Sequence, residues 1–180
     1  MLQQHSLCGP KHFRFSLKRY KIIDLKTNGS VELEEILKEK YYYHATDFPR
    51  DIICNGFLNP KKRDATVSNS NNRSGYSRKH LSRWNNSKMF GNGIYFADYI
   101  SKAAKFSNQI IVCELEFSNR QILRCVADTL PEDTTDCIIG LGKFDRFGRL
   151  EDPDRPLNYY EYCIYNEKMI EPKYWLQIVC

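Results

Sequence analysis

The chain has 180 residues, 42% hydrophobic, 13% aromatic and 27% charged, a globular composition that excludes fibrous repeats and extended disorder and leaves room for one domain. Its 27 Lys and Arg against 22 Asp and Glu give a net charge of +5, a mild excess that favours polyanionic ligands without specifying nucleic acid. No run approaches the ~20 apolar residues of a membrane helix, residues 1–11 are polar where a signal peptide carries its apolar core, and seven cysteines without a Cys-x-x-Cys pair suggest neither a disulfide framework nor a zinc ribbon.

The cysteines read as reduced thiols, so the expected location is intracellular, nuclear or cytoplasmic. Residues 13–25 are rich in aromatic and β-branched types and predict a strand centred on Tyr20-Lys21-Ile22-Ile23-Asp24. Asn28-Gly29-Ser30 turns the chain. Ser30 is placed to cap a helix with an acidic first turn (Glu32, Glu34, Glu35), apolar Leu33, Ile36 and Leu37, and basic Lys38 and Lys40 at its end. Tyr41-Tyr42-Tyr43 predicts a short strand into His44. A second helix is expected over 48–54, capped by Asp47 and closed by Gly56 in the left-handed region.

Residues 59–86 hold almost no apolar side chains and many Ser and Asn. The basic run spans 61–88, with Lys61, Lys62, Arg63, Arg73, Arg78, Lys79, Arg83 and Lys88. A solvated loop is the plainer reading of this polar insertion; a grip for phosphates is the functional one. Gly91-Asn92-Gly93 punctuates a return to order, Ile94 to Ala97 reads as a buried strand, and Asp98 is placed to cap a helix running to Phe106. Strands are expected over 110–117, 121–126, 160–165 and 174–179, separated by segments bearing Pro131, Gly140, Gly142, Gly148, Pro153 and Pro156. Many strands and few helices, without βαβ alternation or internal repeat, predict an α+β fold with largely antiparallel sheets.

Three local signals carry chemistry. His44 follows the tyrosine run and precedes Ala45-Thr46. Gly91-Asn92-Gly93-Ile94-Tyr95-Phe96-Ala97-Asp98 brings flexible backbone next to aromatic rings and a helix start. Tyr160-Glu161-Tyr162-Cys163-Ile164-Tyr165 puts Glu161 on the strand side of Cys163 and Tyr165, a charge on an otherwise half-apolar face. Each alone also has a structural reading: a hydrogen-bonded histidine, a turn, a wet strand face.

In this order the three resemble the catalytic domain of the poly(ADP-ribose) polymerases, in the diphtheria-toxin-like ADP-ribosyltransferase superfamily with its His-Tyr-Glu triad. His44-Ala45-Thr46 resembles the family's His-Gly-Ser or His-Gly-Thr, and residues 53–57 fit the pattern that follows it. Met89 to Asp98 with Ser101-Lys102-Ala103-Ala104 is similar to the Met-Phe-Gly-x-Gly-Ile-Tyr-Phe-Ala-Asp signature and its helix. Cys137 to Lys143 resembles a stretch of the DNA-damage-responsive nuclear members, and Tyr160 to Asn166 resembles their Asn-Glu-Tyr strand.

The resemblance implies an ADP-ribosyltransferase fold of two packed, mainly antiparallel sheets with short helices around an NAD cleft. It also implies a single catalytic domain over 1–180 with a polar insertion at about 59–88. It implies NAD as co-substrate, no metal, and catalytic roles for Glu161, His44 and Tyr95. Glu161 would hold the nicotinamide ribose 2′-hydroxyl and orient the acceptor, and His44 would hold the adenosine ribose. Tyr95 and Phe106 would stack on the cationic nicotinamide ring, and the backbone of Ala45 would pair with its carboxamide. Thr46, Phe96 and Ala103 complete the expected NAD-binding set. Ala45 stands where the family has glycine, Ala103 where a serine commonly bonds the carboxamide, and Phe106 where a stacking tyrosine is usual. Three functions follow in order: transfer of ADP-ribose to protein side chains with or without polymer extension; a weakened NAD- or ADP-ribose-binding module; and transfer to nucleic acid held by the basic loop at 61–88.

Overall fold

The computed structural model describes residues 19–58, 90, 93–116, 120–123, 135–146 and 148–179. The polar insertion at 59–88 with its basic residues, Gly91, Asn92, Cys8, Cys125 and Cys180 lie outside them, so the expectations placed there have no structural counterpart.

Among the described residues the elements run in the order β1 (Tyr20–Asp24), α1 (Leu33–Lys38), β2 (Tyr42–Ala45), α2 (Pro49–Asn55), β3 (Ile94–Ala97), α3 (Ile100–Ala103), β4 (Gln109–Leu115), β5 (Arg120–Leu123), β6 (Cys137–Gly140), β7 (Gly142–Phe144), β8 (Leu157–Tyr159), β9 (Glu161–Ile164), a 3-10 turn (Glu167–Met169) and β10 (Ile170–Ile178). Eight form one sheet in the order β1-β10-β4-β2-β3-β9-β6-β5, and β7-β8 form a second, two-stranded sheet. All ladders are antiparallel except β5–β6 and β7–β8. The α+β expectation holds. The two sheets are unequal, eight strands against two.

The sheet is covered on both faces, which explains why β4 is a continuous apolar run and does not alternate. Ile110, Ile111, Val112 and Cys113 are all fully buried. Ile110 and Val112 join Ile22, Ile36, Tyr43 and Leu176 on the face carrying α1 and α3. Ile111 and Cys113 join Tyr42, Ile52, Phe96 and Ile164 on the face carrying α2. Each such side chain withdrawn from water contributes about 1.5–3 kcal/mol before the entropy of ordering it is subtracted.

Element ends depart from the sequence expectations for identifiable reasons. Ser30 does not cap α1. It pairs with Ile23 in an isolated bridge, and the helix starts after Glu32 without a side-chain cap. Phe48, and not Asp47, is the N-cap of α2, its N–H donating to Thr46 Oγ1 at 3.1 Å, while Pro49 fills the first turn and Gly56 closes the helix at φ 74°. Asp98 does not cap α3 either: the N-cap is Tyr99, and α3 is a single turn that tightens toward Phe106, whose N–H bonds Ala103 O at 3.0 Å. Strand β10 begins earlier than expected, at Ile170, and its register shifts between Pro172 and Tyr174, where proline has no N–H to offer the ladder. Among the described residues no helix is long and apolar enough to cross a membrane.

Candidate active site

The three residues singled out by sequence lie on strands that are neighbours at the middle of the sheet: His44 on β2, Tyr95 on β3, Glu161 at the start of β9. Tyr43 pairs with Ala97, and Ala97 with Glu161, so these three share one row, and Tyr95 pairs with Cys163 two rows further along. Strand alternation then puts Tyr95 and Glu161 on one face and His44, with Phe96, on the other. The His44 ring packs against Phe57 and Phe96, at centroid distances of 5.1 and 5.4 Å. It reaches the first face through the backbone: Nδ1 lies 2.9 Å from Tyr95 O. A carbonyl only accepts, so Nδ1 carries the proton, and in the neutral ring Nε2 is the accepting nitrogen.

The β2–β3 ladder has a single registered pair, Tyr43↔Ala97, whereas β2 continues along β4 as far as Ala45↔Ile110. The two strands therefore part beside Ala45. Thr46 N–H donates to Gln109 O at 2.9 Å. Antiparallel alternation then turns the N–H and C=O of Ala45 away from β4, toward the side where β3 has left the ladder.

On the first face, Lys102 Nζ stands 2.8 Å from Glu161 Oε1, with side-chain exposures of 13% and 22%. The same ammonium donates to Tyr160 O at 3.1 Å and Tyr159 O at 3.4 Å. Burial pushes the Lys102 ammonium below its ordinary pKa, and the Glu161 carboxylate pulls it back. A cleft of about 270 Å³ opens over this pair, lined also by Lys105, Phe106, Leu157 and Tyr159. Phe106 is 73% exposed there, a ring face available for stacking.

Tyr95 is committed differently. Its hydroxyl accepts from Phe90 N–H at 2.8 Å and its ring lies parallel to that of Phe90, while Tyr165 OH donates to Phe90 O. Burial pushes both phenols above their ordinary pKa, which keeps them neutral donors or acceptors. Gly93 sits where a Cβ would collide with Cys163 Sγ, so the described glycine of the signature serves close packing of β3 against β9. Asp98, the last signature residue, is 9% exposed with no hydrogen-bond partner for Oδ1 among the described residues. Desolvation raises its pKa to about 6, opposed by Lys102 and Arg146.

Glu161 and Phe106 thus share one cleft, Tyr95 lies on the same sheet face outside the lining of that cleft, and His44 lies on the opposite face. Thr46 is buried, its carbonyl accepting from Ser107 Oγ at 3.0 Å, and Phe96 is buried with His44 and Phe57. Ala103 is 3% exposed in the cluster that also packs Tyr43 and Ala45. Sequence reasoning gave no role to Lys102, whose only signal is its place as the one charged residue in a turn of small and apolar ones. No group of three or more His, Cys, Asp or Glu able to hold a metal occurs among the described residues. Residues 45–180, about three quarters of the chain, match the family model of the PARP: Poly(ADP-ribose) polymerase catalytic domain. A search of curated proteins finds no match.

Proposed function

The chain belongs to the poly(ADP-ribose) polymerase catalytic-domain family, and we propose that it transfers ADP-ribose from NAD to protein side chains through Glu161, Tyr95 and His44. In this reaction the bond between nicotinamide and its ribose breaks, and the electron pair leaves with the nicotinamide. The anomeric carbon passes through an oxocarbenium-like state, as in glycoside hydrolysis. The acceptor oxygen then bonds that carbon and gives up its proton. A carboxylate beside the ribose stabilises the developing positive charge and can take the proton.

Glu161 fits that task because its side chain lines a cleft and is held by Lys102 at 2.8 Å, and this observation carries the reading. The exposed ring of Phe106 supplies an aromatic face for the cationic nicotinamide, the N–H and C=O of Ala45 face the gap where a carboxamide would pair, and His44, tied to Tyr95 O through Nδ1, is assigned to a ribose hydroxyl by the family resemblance. Tyr95, Thr46, Phe96 and Ala103 belong to the same proposal as NAD-binding residues, with Tyr95 and Ala103 on the sheet face of Glu161 and Phe96 on the face of His44. One catalytic domain over 1–180 with an insertion at about 59–88 belongs to the same proposal.

The test is incubation with NAD labelled on the adenine, with Glu161→Gln beside the unaltered chain. Free labelled nicotinamide-depleted product and labelled protein are expected from the first, with at least about a hundredfold loss of kcat in the variant. Discrete labelled bands mean single transfer and a smear means polymer. Equal turnover by the two proteins removes Glu161 from the reaction, and no turnover in either leaves a binding module.

A further inference from the structure

We infer that Glu151, Arg155 and Tyr160 form a brace that positions Glu161 from the sheet face opposite the cleft, an inference that rests on Glu161 being the reacting carboxylate. Arg155 Nη1 donates to Glu151 Oε2 at 2.6 Å, to Gly142 O at 2.9 Å and to Tyr160 OH at 3.3 Å, and Tyr160 OH donates to Glu151 Oε2. Arg155 Nε also lies 3.5 Å from Asp152 Oδ2. The Arg155 side chain is 15% exposed and that of Glu151 38%, so the guanidinium is tucked in while the carboxylate reaches the surface, and it is the several bonds converging on Arg155, more than the ion pair, that fix the cluster. Hydrogen bonds from Tyr160 and Arg155 hold the Glu151 carboxyl below its ordinary pKa, which keeps the acceptor charged.

The geometry explains why these contacts matter at Glu161. Tyr160 packs with Tyr162 and Ile164, on the face away from the cleft, while its own carbonyl accepts from Lys102 on the cleft side. The peptide entering Glu161 is therefore gripped from both faces, by a phenol tied to two charges behind and by an ammonium in front. Gly142 completes the grip. Its carbonyl is an Arg155 acceptor, and a Cβ on it would collide with the main chain of Tyr159 and Tyr160, so β7 presses directly on the residues before β9. Leu157 and Tyr159, on the strand paired to β7, line the cleft beside Glu161. One cluster thus sets both the wall of the cleft and the direction of its carboxylate. A carboxylate that must meet a ribose hydroxyl within hydrogen-bond reach loses much of its effect when displaced by about 1 Å. The three are positioning residues, since none of them lines the cleft.

Tyr160→Phe and Glu151→Gln in the full chain test this, with kcat and KM for NAD cleavage, thermal midpoint, and amide hydrogen exchange at 157–161 read on the same proteins. Each variant is expected to lower kcat about tenfold with KM within about twofold, and to speed exchange at 157–161 by about tenfold while exchange in β4 is unchanged. Arg155→Lys should recover part of what Arg155→Ala loses. Faster exchange with kcat unchanged overturns the positioning role and leaves a purely structural cluster; unchanged exchange overturns the brace itself. A fall in kcat matched by an equal rise in exchange of β4 marks general destabilisation and also overturns it. Absence of turnover in the unaltered chain sinks the Glu161 reading, and with it the positioning role, whereas the exchange arm still reports whether the three residues hold 157–161.

Discussion

His44 Nδ1 and the carbonyl oxygen of Tyr95 are joined at 2.9 Å where the β2–β3 ladder has already ended, so a side chain supplies the cross-strand bond that the backbone no longer makes. His44→Ala removes that bond and leaves the half-buried Tyr95 carbonyl to find another donor, a cost of about 1–2 kcal/mol. On the proposed reading it also removes a contact to the adenosine ribose. The expected outcome is a raised KM for NAD, on the order of tenfold, with a smaller change in kcat, read from initial rates at varied NAD. A kcat loss with KM unchanged would move His44 into the chemical step.

Lys102→Met strands the Glu161 carboxylate, which is 22% exposed, without its cation. Removing one partner of a largely buried pair destabilises by roughly 1–4 kcal/mol, more than the intact pair contributes. Thermal unfolding should register that loss, and the double variant Lys102→Met with Glu161→Gln should regain a good part of it. If the single and double variants melt together, the two charges are not coupled.

Much of this was readable in the chain. Period-two alternation put Glu161, Cys163 and Tyr165 on one side of the chain, the apolar run over 110–117 marked the strand that became β4, and Gly56 closed α2 at positive φ as its position implied. What was hidden depends on distant pairing. That β2, β3 and β9 are adjacent follows from ladders between segments far apart in the chain, and nothing local at Lys102 announces a partner at Glu161. Ser30 and Asp98 show the other failure. Both have good capping chemistry, yet a bridge to Ile23 takes the first and burial beside Lys102 takes the second, tertiary demands that local propensity does not record.

Phe90 is held through both of its peptide groups, its N–H by the Tyr95 hydroxyl and its C=O by Tyr165. Tyr95→Phe and Tyr165→Phe should each lower stability by about 1 kcal/mol. Because both hydroxyls bond the one residue, Phe90, from its two sides, the double variant should cost less than the sum, a non-additivity measurable by denaturant unfolding. Strict additivity would mean that the two hydroxyls act independently.

The Asp98 carboxyl titrates near 6 in the fold against 3.8 for an ordinary aspartate, so the folded chain binds a proton that the unfolded chain has released between those values. Stability contributed by this group is present below about 4 and falls as pH rises toward 6, and keeping it ionised at neutral pH costs about 3 kcal/mol. Asp98→Asn should therefore raise the thermal midpoint at pH 7 and flatten its dependence between pH 4 and 6. A variant less stable than the parent at pH 7 would show that the charge is compensated, by Lys102 or Arg146.

Strand β9, which carries Glu161, is interior to an eight-stranded sheet whose margins among the described residues are β1 on one side and β5 on the other. Fraying, nicking or strand addition by a foreign chain begins at such margins. Harm arriving from β1 must cross β10, β4, β2 and β3, and harm arriving from β5 must cross β6, before Glu161 is disturbed. A preparation that has lost its outermost strand by limited digestion should accordingly go on binding nucleotide, and heat inactivation should coincide with cooperative melting of the whole sheet.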